Sequence, residues 1–384
     1  MKICFQILSL NVPGGAERVM TLLASGMAER GHDVSVVCLS REGKGTFYPL
    51  SDKVHVHYLE TWDTEHALLR NKRLRTWFRI YLMYRALRAL KPDISVSFLT
   101  DMTIYSAWAA RWAGIPHISA ERNSPWDSPG QEEKRRRRDR AFAISTGRVV
   151  QTEAIRAYFE ETIGKTSEVI ANPVQLMCSP CPAGTEREYR IVSVGRLVAQ
   201  KNYRLLLNGF AHFHSLFPNY RLEIYGQNFG MRRELEALAE TIGIRGHVVF
   251  CEPVQDLHRR IRNAAVFVMT SEYEGYPNSL AEAVALGIPS IAVDCRSKGS
   301  ASIVCDGQRG ILLPPNDPEA LKDALVLLTQ RQDIAAQYSK AGIEFGRAAG
   351  TAQYVDAWER YLRGVGSCWI RRKGFTKYAR HPND

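Results

Sequence analysis

What most constrains the fold of this chain is a hydrophobic period that keeps switching. Short apolar runs of strand character alternate with longer stretches whose apolar residues recur three and four positions apart, as on one face of a helix. Runs at 2–10, 34–38, 54–58, 94–97, 117–120 and 149–150 form a first series. Runs at 190–194, 221–225, 248–251, 266–269, 290–293 and 310–313 form a second. Strands joined through helices run mostly parallel, and a parallel sheet buries both of its faces under those helices. The expected fold class is therefore α/β, with two doubly wound halves. Ala171-Asn172-Pro173-Val174 and the Cys and Pro cluster up to Pro182 read as the linker between them.

The opening βαβ unit turns through Asn11-Val12-Pro13-Gly14-Gly15, which lacks the spaced glycines of a dinucleotide site and counts against a dehydrogenase. Its adjacent glycines still let a ligand approach the backbone closely, and a plain tight turn explains them equally well. Composition narrows the partners. The 384 residues carry a net charge of +11, which calls for an anionic partner: a phosphorylated ligand, an anionic membrane or nucleic acid. No recognised nucleic-acid module accompanies the charge, so nucleic acid is not expected. No apolar run has the length to cross a bilayer, and Met1 to Leu10 reads as a buried strand rather than a signal peptide. Several of the cysteines fall inside expected strands, which suits reduced thiols in the cytoplasm. Cys178 and Cys181 have redox spacing but sit in a Pro-rich connector without the helix that would activate a thiol.

The chemistry concentrates in the second half. Val266 to Met269 is an apolar run, followed by Ser271-Glu272-Tyr273-Glu274-Gly275-Tyr276-Pro277-Asn278-Ser279 and then a helical pattern ending at Gly287. Asn278 or Ser279 suits the helix cap and Gly287 its end. Glu274 thus falls on a loop at the carboxyl end of a strand, where open parallel sheets bind ligands, and Glu282 lies in the helix that follows. A helix start offers free N–H groups to an anion. Two acceptor-only carboxylates beside an anion site suit a polyhydroxylated, phosphate-bearing ligand such as a sugar nucleotide, although acidic residues near a helix start also occur for dipole reasons alone. Upstream, Gly195-Arg196-Leu197-Val198-Ala199-Gln200-Lys201 leaves another strand and places two cations where a departing diphosphate needs neutralising. The chain has no Asp-x-Asp and no His/Cys cluster of metal-ligand spacing. No metal or other cofactor is expected, and Arg196 with Lys201 take the metal's place.

Taken together, these motifs resemble the family 4 type of retaining glycosyltransferase, with the B-type fold of two Rossmann-like domains facing across a cleft. The resemblance covers nearly the whole chain. It includes Gly14 to Val19 as the opening loop, Ser193 to Leu197 with Lys201-Asn202 as the diphosphate motif, and Glu274 with Glu282 as the paired glutamates. The segment from Ser297 to Gly310 is similar to the one that follows in the family, and Ala352 to Tyr361 fits a closing helix that crosses back to the first domain. The implied domains are 1–172 on the acceptor side, 173–350 for the nucleotide sugar, and 351–384 as crossing helix and basic tail. By the same resemblance Glu282 accepts from the ribose hydroxyls, while Glu274 holds a donor-sugar hydroxyl and steadies charge at the anomeric carbon. Gly15, Gly195, Tyr276, Pro277, Asn278 and Ser279 line the donor, and Arg196 and Lys201 stabilise the leaving diphosphate. Two departures stand out: Ser302 where the family commonly has Glu, and Glu121-Arg122-Asn123, with Glu121 and Arg122 as acceptor-side candidates, where a His is common.

The implied activity is transfer of a hexosyl or N-acetylhexosaminyl group from a nucleotide sugar, UDP before GDP, to a glycan or polyprenyl-diphosphate-linked acceptor in cell-surface polysaccharide, lipopolysaccharide or glycoconjugate synthesis. A sugar-nucleotide epimerase of the same fold, or a non-catalytic sugar-nucleotide binder, are the alternatives. Three basic stretches bear on location: Arg70 to Lys91 with interleaved Trp77, Phe78 and Tyr81, Lys134 to Arg138, and Cys368 to Lys373. The first has the pattern of a helix lying on an anionic membrane, or equally of a domain helix with a solvated face. A cytoplasmic protein held peripherally on the inner face of a bacterial plasma membrane is the expectation.

Overall fold

The computed structural model describes residues 1–40, 45–59, 71–126 and 131–378, with side chains up to Trp369. Arg70, in the first basic stretch, lies outside the described residues, as do the side chains of the tail from Ile370 to Lys373. The chain forms two units, Met1–Asn172 with Thr351–Asp384, and Pro173–Gly350.

In the first unit, β1 (Lys2–Ile7), β2 (Asp33–Cys38), β3 (Val54–Tyr58), β4 (Ile94–Phe98), β5 (His117–Ala120), β6 (Gly147–Val150) and β7 (Glu168–Val169) build one parallel sheet. Its order is β3-β2-β1-β4-β5-β6-β7, so the winding reverses between β1 and β4. Helices α1 (Gly15–Glu29), α2 (Lys72–Leu90), α3 (Thr100–Ala113), α4 (Glu132–Ile144) and α5 (Glu153–Ile163) lie between the strands. The core joins Phe5, Ile7 and Phe98 of the sheet to Met20 and Leu23 of α1.

The second unit repeats the plan. Strands β8 (Glu188–Val194), β9 (Arg221–Tyr225), β10 (Val248–Cys251), β11 (Ala264–Met269), β12 (Ser290–Val293) and β13 (Gly310–Leu313) pair in parallel in the order β10-β9-β8-β11-β12-β13. The reversal falls between β8 and β11, the strands that end at the Arg196 and Glu274 loops. Around them sit α6 (Tyr203–Leu216), α7 (Arg232–Thr241), α8 (Leu257–Ile261), α9 (Asn278–Ala285), α10 (Gly299–Val304), α11 (Pro318–Gln330) and α12 (Gln332–Ala348). The doubly wound α/β class and two Rossmann-like domains are borne out.

The closing helix α13 (Thr351–Tyr378) belongs to the first unit and packs on α1. Tyr354, Trp358 and Leu362 enter the first unit's core, and Trp358 is fully buried. Glu359 beside them accepts from Arg30 at 2.8 Å and meets His32 at 3.1 Å, and its cationic partners Arg30 and Arg363 hold its carboxyl down at about 2.

Candidate active site

Every strand of a parallel sheet ends on the same side, so loops after neighbouring strands converge there. In the second unit the loops after β8 and β11 are joined side to side. The 3-10 turn Ala199–Lys201 places the Lys201 ammonium 2.6 Å from Oε1 of Glu274, with only 14% and 13% of the two side chains exposed. Around this pair Gln200 Nε2 donates to the Tyr273 carbonyl at 2.7 Å, Glu272 N–H donates to the Gln200 carbonyl at 2.9 Å, and Thr270 Oγ1 donates to the Lys201 carbonyl at 2.9 Å. An ion pair shielded from water is strong only when its geometry is fixed, and these bonds fix it.

Gly195 turns the chain out of β8. Its carbonyl accepts from the Tyr203 hydroxyl at 2.7 Å, and burial pushes that phenol's pKa up. Asn202 then takes the left-handed conformation, φ 45°, and caps α6 through the Leu205 N–H. Arg196 is exposed, its guanidinium 5.7 Å from the ring centre of Phe229. It is therefore a solvated cation on the same loop as Lys201, available to an anion.

The 275–277 turn is set by a close approach. A Cβ on Gly299 would come within 2.1 Å of the Gly275 carbonyl and 3.2 Å of the Pro277 ring, so only glycine lets α10 pack there. Tyr276 and Pro277 are buried, Asn278 and Ser279 half-buried. The helix cap differs from the expectation. Asn278 is already the first residue of α9 and extended Pro277 is the cap, with no side-chain capping bond, because the proline ring and the Gly299 contact set the turn instead. Gly287 follows α9 at φ +77°, as its role in ending the helix requires. Glu282 lies in the second turn of α9, buried, with Oε2 3.0 Å from Nε2 of His258. Ser302 turns its hydroxyl back to the Gly299 carbonyl at 2.8 Å, so it does not stand in for a carboxylate.

Sequence reasoning missed His258, Gln200 and Thr270. Gln200 and Thr270 lie within or beside the motifs but act through partners 73 and 69 positions away, and nothing near His258 in the chain marks it.

In the first unit Gly15 is the opening residue of α1, exposed, after an extended Gly14. Glu121 is fully buried and accepts from Thr100 Oγ1 at 2.9 Å and from the N–H groups of Arg122 and Asn123. Arg122 is also buried. It donates to Asn172 Oδ1 at 3.0 Å and to the Tyr354 hydroxyl at 3.1 Å, and its guanidinium lies 4.4 Å from the ring centre of Phe98. Burial pushes its pKa down, with Tyr354 and Glu121 opposing the shift. Both residues thus lock the loop after β5 to β4, α13 and the end of the unit.

The basic stretches divide. Ile80, Met83 and Leu87 bury one face of α2, whereas Leu74, Trp77 and Tyr81 are exposed, Trp77 stacking on exposed Trp112 of α3 at 5.7 Å. Of the α4 block, Arg138 is buried and bonded to Asp139 and Tyr158, and Lys134 pairs with Asp101. A recess of about 250 Å³ between α2, α3 and α4 is lined by Arg73, Arg137, Arg140, Trp77 and Trp108. Among the described residues no helix is long and apolar enough to cross a membrane, and no group of three His, Cys, Asp or Glu side chains could hold a metal ion. All eight cysteines are free thiols, and burial pushes Cys4 and Cys38 up to about 12.

Comparison with known proteins agrees with this layout. Residues 183–345 match the model of glycosyl transferases group 1, and residues 13–177 that of glycosyltransferase family 4. An α-1,4-N-acetyl-D-galactosaminyltransferase of Campylobacter jejuni, named for an acceptor on diNAcBac-PP-undecaprenol, is 27% identical over 87% of this chain and 90% of its own. The lipopolysaccharide 1,6-galactosyltransferase of Escherichia coli is 28% identical over 71% of this chain and 76% of its own. The crystal structure of Anabaena HepE in complex with UDP-glucose superposes with a TM-score of 0.76 at 15% identity, covering 95% of this chain and 100% of that one.

Proposed function

The chain is a glycosyltransferase of the group 1 and family 4 type, and from that premise we propose that it moves a sugar from a UDP sugar, with retention at the anomeric carbon, to a glycan or polyprenyl-diphosphate-linked acceptor. The observation that carries the reading is the Lys201–Glu274 contact of 2.6 Å at the sheet's reversal point. It sets one cation and one carboxylate side by side, the pair of charges that the junction of a sugar and its diphosphate calls for.

In this reading the bond between the anomeric carbon and the diphosphate oxygen breaks, and the acceptor oxygen bonds to that carbon from the same face. The acceptor's proton passes to the departing phosphate. Arg196 and Lys201 stabilise the charge gathering on the diphosphate, the electrostatic task that usually contributes most to such a step. Glu274 holds a sugar hydroxyl and faces the positive charge at the anomeric carbon. Glu282 takes the ribose hydroxyls, and the N–H groups from Tyr276 to Ser279 with Gly15 take the phosphates and sugar. Glu121 and Arg122 act on the acceptor side through the loop they hold. The reaction needs no metal in this scheme. The exposed basic and aromatic face of α2 supports contact with an anionic membrane on the cytoplasmic side, where a lipid-linked acceptor is presented.

The test is mass spectrometry of products after incubation with a panel of nucleotide sugars and lipid-linked acceptors, in the presence and absence of EDTA. Acceptor-dependent transfer from a UDP sugar, unaffected by EDTA and giving the same anomer as the donor by NMR, is expected. Conversion of the UDP sugar to an epimer with no acceptor present, or a trapped covalent glycosyl-enzyme, would overturn the scheme.

A further inference from the structure

We infer that His258 is a positioning residue for nucleotide binding, holding the Glu282 carboxylate in the one orientation that receives the ribose hydroxyls. The inference rests on the donor reading above, which gives Glu282 to the ribose.

The two ring nitrogens of His258 have different partners. Nδ1 lies 3.0 Å from the backbone N–H of Met177, and Nε2 lies 3.0 Å from Oε2 of Glu282. An amide N–H can only donate, so Nδ1 presents its lone pair and the ring proton sits on Nε2. Nε2–H therefore donates to the carboxylate, and the tautomer is set from the far side of the ring.

Each support is itself anchored. The segment reaching Met177 is held by the Val174 N–H on the Ala349 carbonyl at 2.7 Å and by a bridge from Val174 to Gly350. In α8, which carries His258, Ile261 is buried in one core with Leu280 and Ala281 of α9. His258 and Glu282 are 6% and 7% exposed, so water does not compete for their bond.

A glutamate has three side-chain torsions, and ordering them on binding costs affinity. Fixing the carboxylate beforehand removes that cost from the binding step. A carboxylate has about four lone-pair sites, more than the three that His258 and both hydroxyls of a ribose together would use. On the donor reading, the ligand class is a nucleotide with a free ribose diol.

The experiment compares UDP with a dideoxy-UDP lacking both ribose hydroxyls, by calorimetry, on the full chain and on His258→Ala, His258→Gln and Glu282→Ala. Loss of this preorganisation, with the freed Glu282 side chain having to be ordered on binding, predicts that His258→Ala weakens UDP binding by up to about tenfold. Binding of dideoxy-UDP should stay nearly unchanged, so that preference for the diol collapses. His258→Gln, which keeps a donor near the Nε2 position, should restore part of it. In turnover, the donor KM should rise while kcat at saturation holds. Equal weakening of both nucleotides by His258→Ala, or a preserved preference in both His258 variants while Glu282→Ala loses it, would overturn the positioning role alone. A preserved preference in Glu282→Ala would overturn the ribose reading and this inference with it.

Discussion

Lys201 and Glu274 each depend on the other. Both are mostly shielded from water, and a shielded charge left without its partner is costly. Glu274→Ala should abolish transfer while UDP binding largely persists, because the sugar-side carboxylate is lost and the diphosphate contacts remain. Lys201→Met should lower kcat by about 10²- to 10³-fold, as expected when a donor to a charge developing in the transition state is removed. Turnover assays beside UDP titrations separate the two, and an unchanged kcat in either variant sinks its role. The sequence marked both residues by their place after strands, but not their contact, since 73 positions separate them. Arg122 is a second case. The family resemblance offered it only as an acceptor-side candidate, and its partners Asn172 and Tyr354, 50 and 232 positions away, enclose it. Contacts made with distant partners are what a linear reading leaves out.

Among elements, the central strands were legible because both faces of a parallel sheet are buried and the residues read as continuous apolar runs. Strand β7, only two residues long, has no such run and went unnoticed. The polar seam between β4 and β5 was equally hidden. His117 is buried, with its ring nitrogens 2.9 Å from Ser95 Oγ and 3.0 Å from Ser97 Oγ, and Ser97 Oγ in turn meets Thr103 of α3. Burial lowers the His117 pKa from its ordinary 6.5 to about 3. Unfolded chains bind a proton at this residue below pH 6.5 that the folded protein refuses down to about 3. Stability is therefore lost as pH falls through this window, by up to about 1.4 kcal/mol for each pH unit. Thermal unfolding between pH 7 and 4 should show a steeper fall in Tm for the natural protein than for His117→Asn. Parallel slopes would remove His117 as the cause.

For the molecule as a whole, the net charge of +11 announced an anionic partner without saying which surface meets it. The structure separates used cations from available ones. Arg122, Arg138 and Arg190 are buried and bonded, and Arg79 of α2 donates to the Tyr105 hydroxyl, whereas Lys72, Arg73, Arg85 and Arg88 of the same helix are exposed on an element with no acidic residue. Leu74, Trp77, Tyr81, Arg85 and Arg88 recur at three- and four-residue steps and are all exposed, so one helical face combines interfacial aromatics with cations. The opposite face is buried through Ile80, Met83 and Leu87, which shows why the sequence supported both a domain helix and a membrane helix: the buried face makes the first, and the exposed face has the composition the second requires. Such a face gains from apolar insertion and from attraction to anionic lipid, about 1 kcal/mol per cation near the surface. Vesicles containing phosphatidylglycerol should therefore sediment the protein at low salt, and less of it as added salt shortens the screening length from about 10 Å at 0.1 M. Arg85→Glu with Arg88→Glu should remove the salt-sensitive part, and Trp77→Ala with Trp112→Ala the part that survives salt. Because all four side chains are exposed, the fold should persist, which circular dichroism checks. Binding that is equal on uncharged vesicles, or untouched in both double variants, would place the membrane contact elsewhere on the chain.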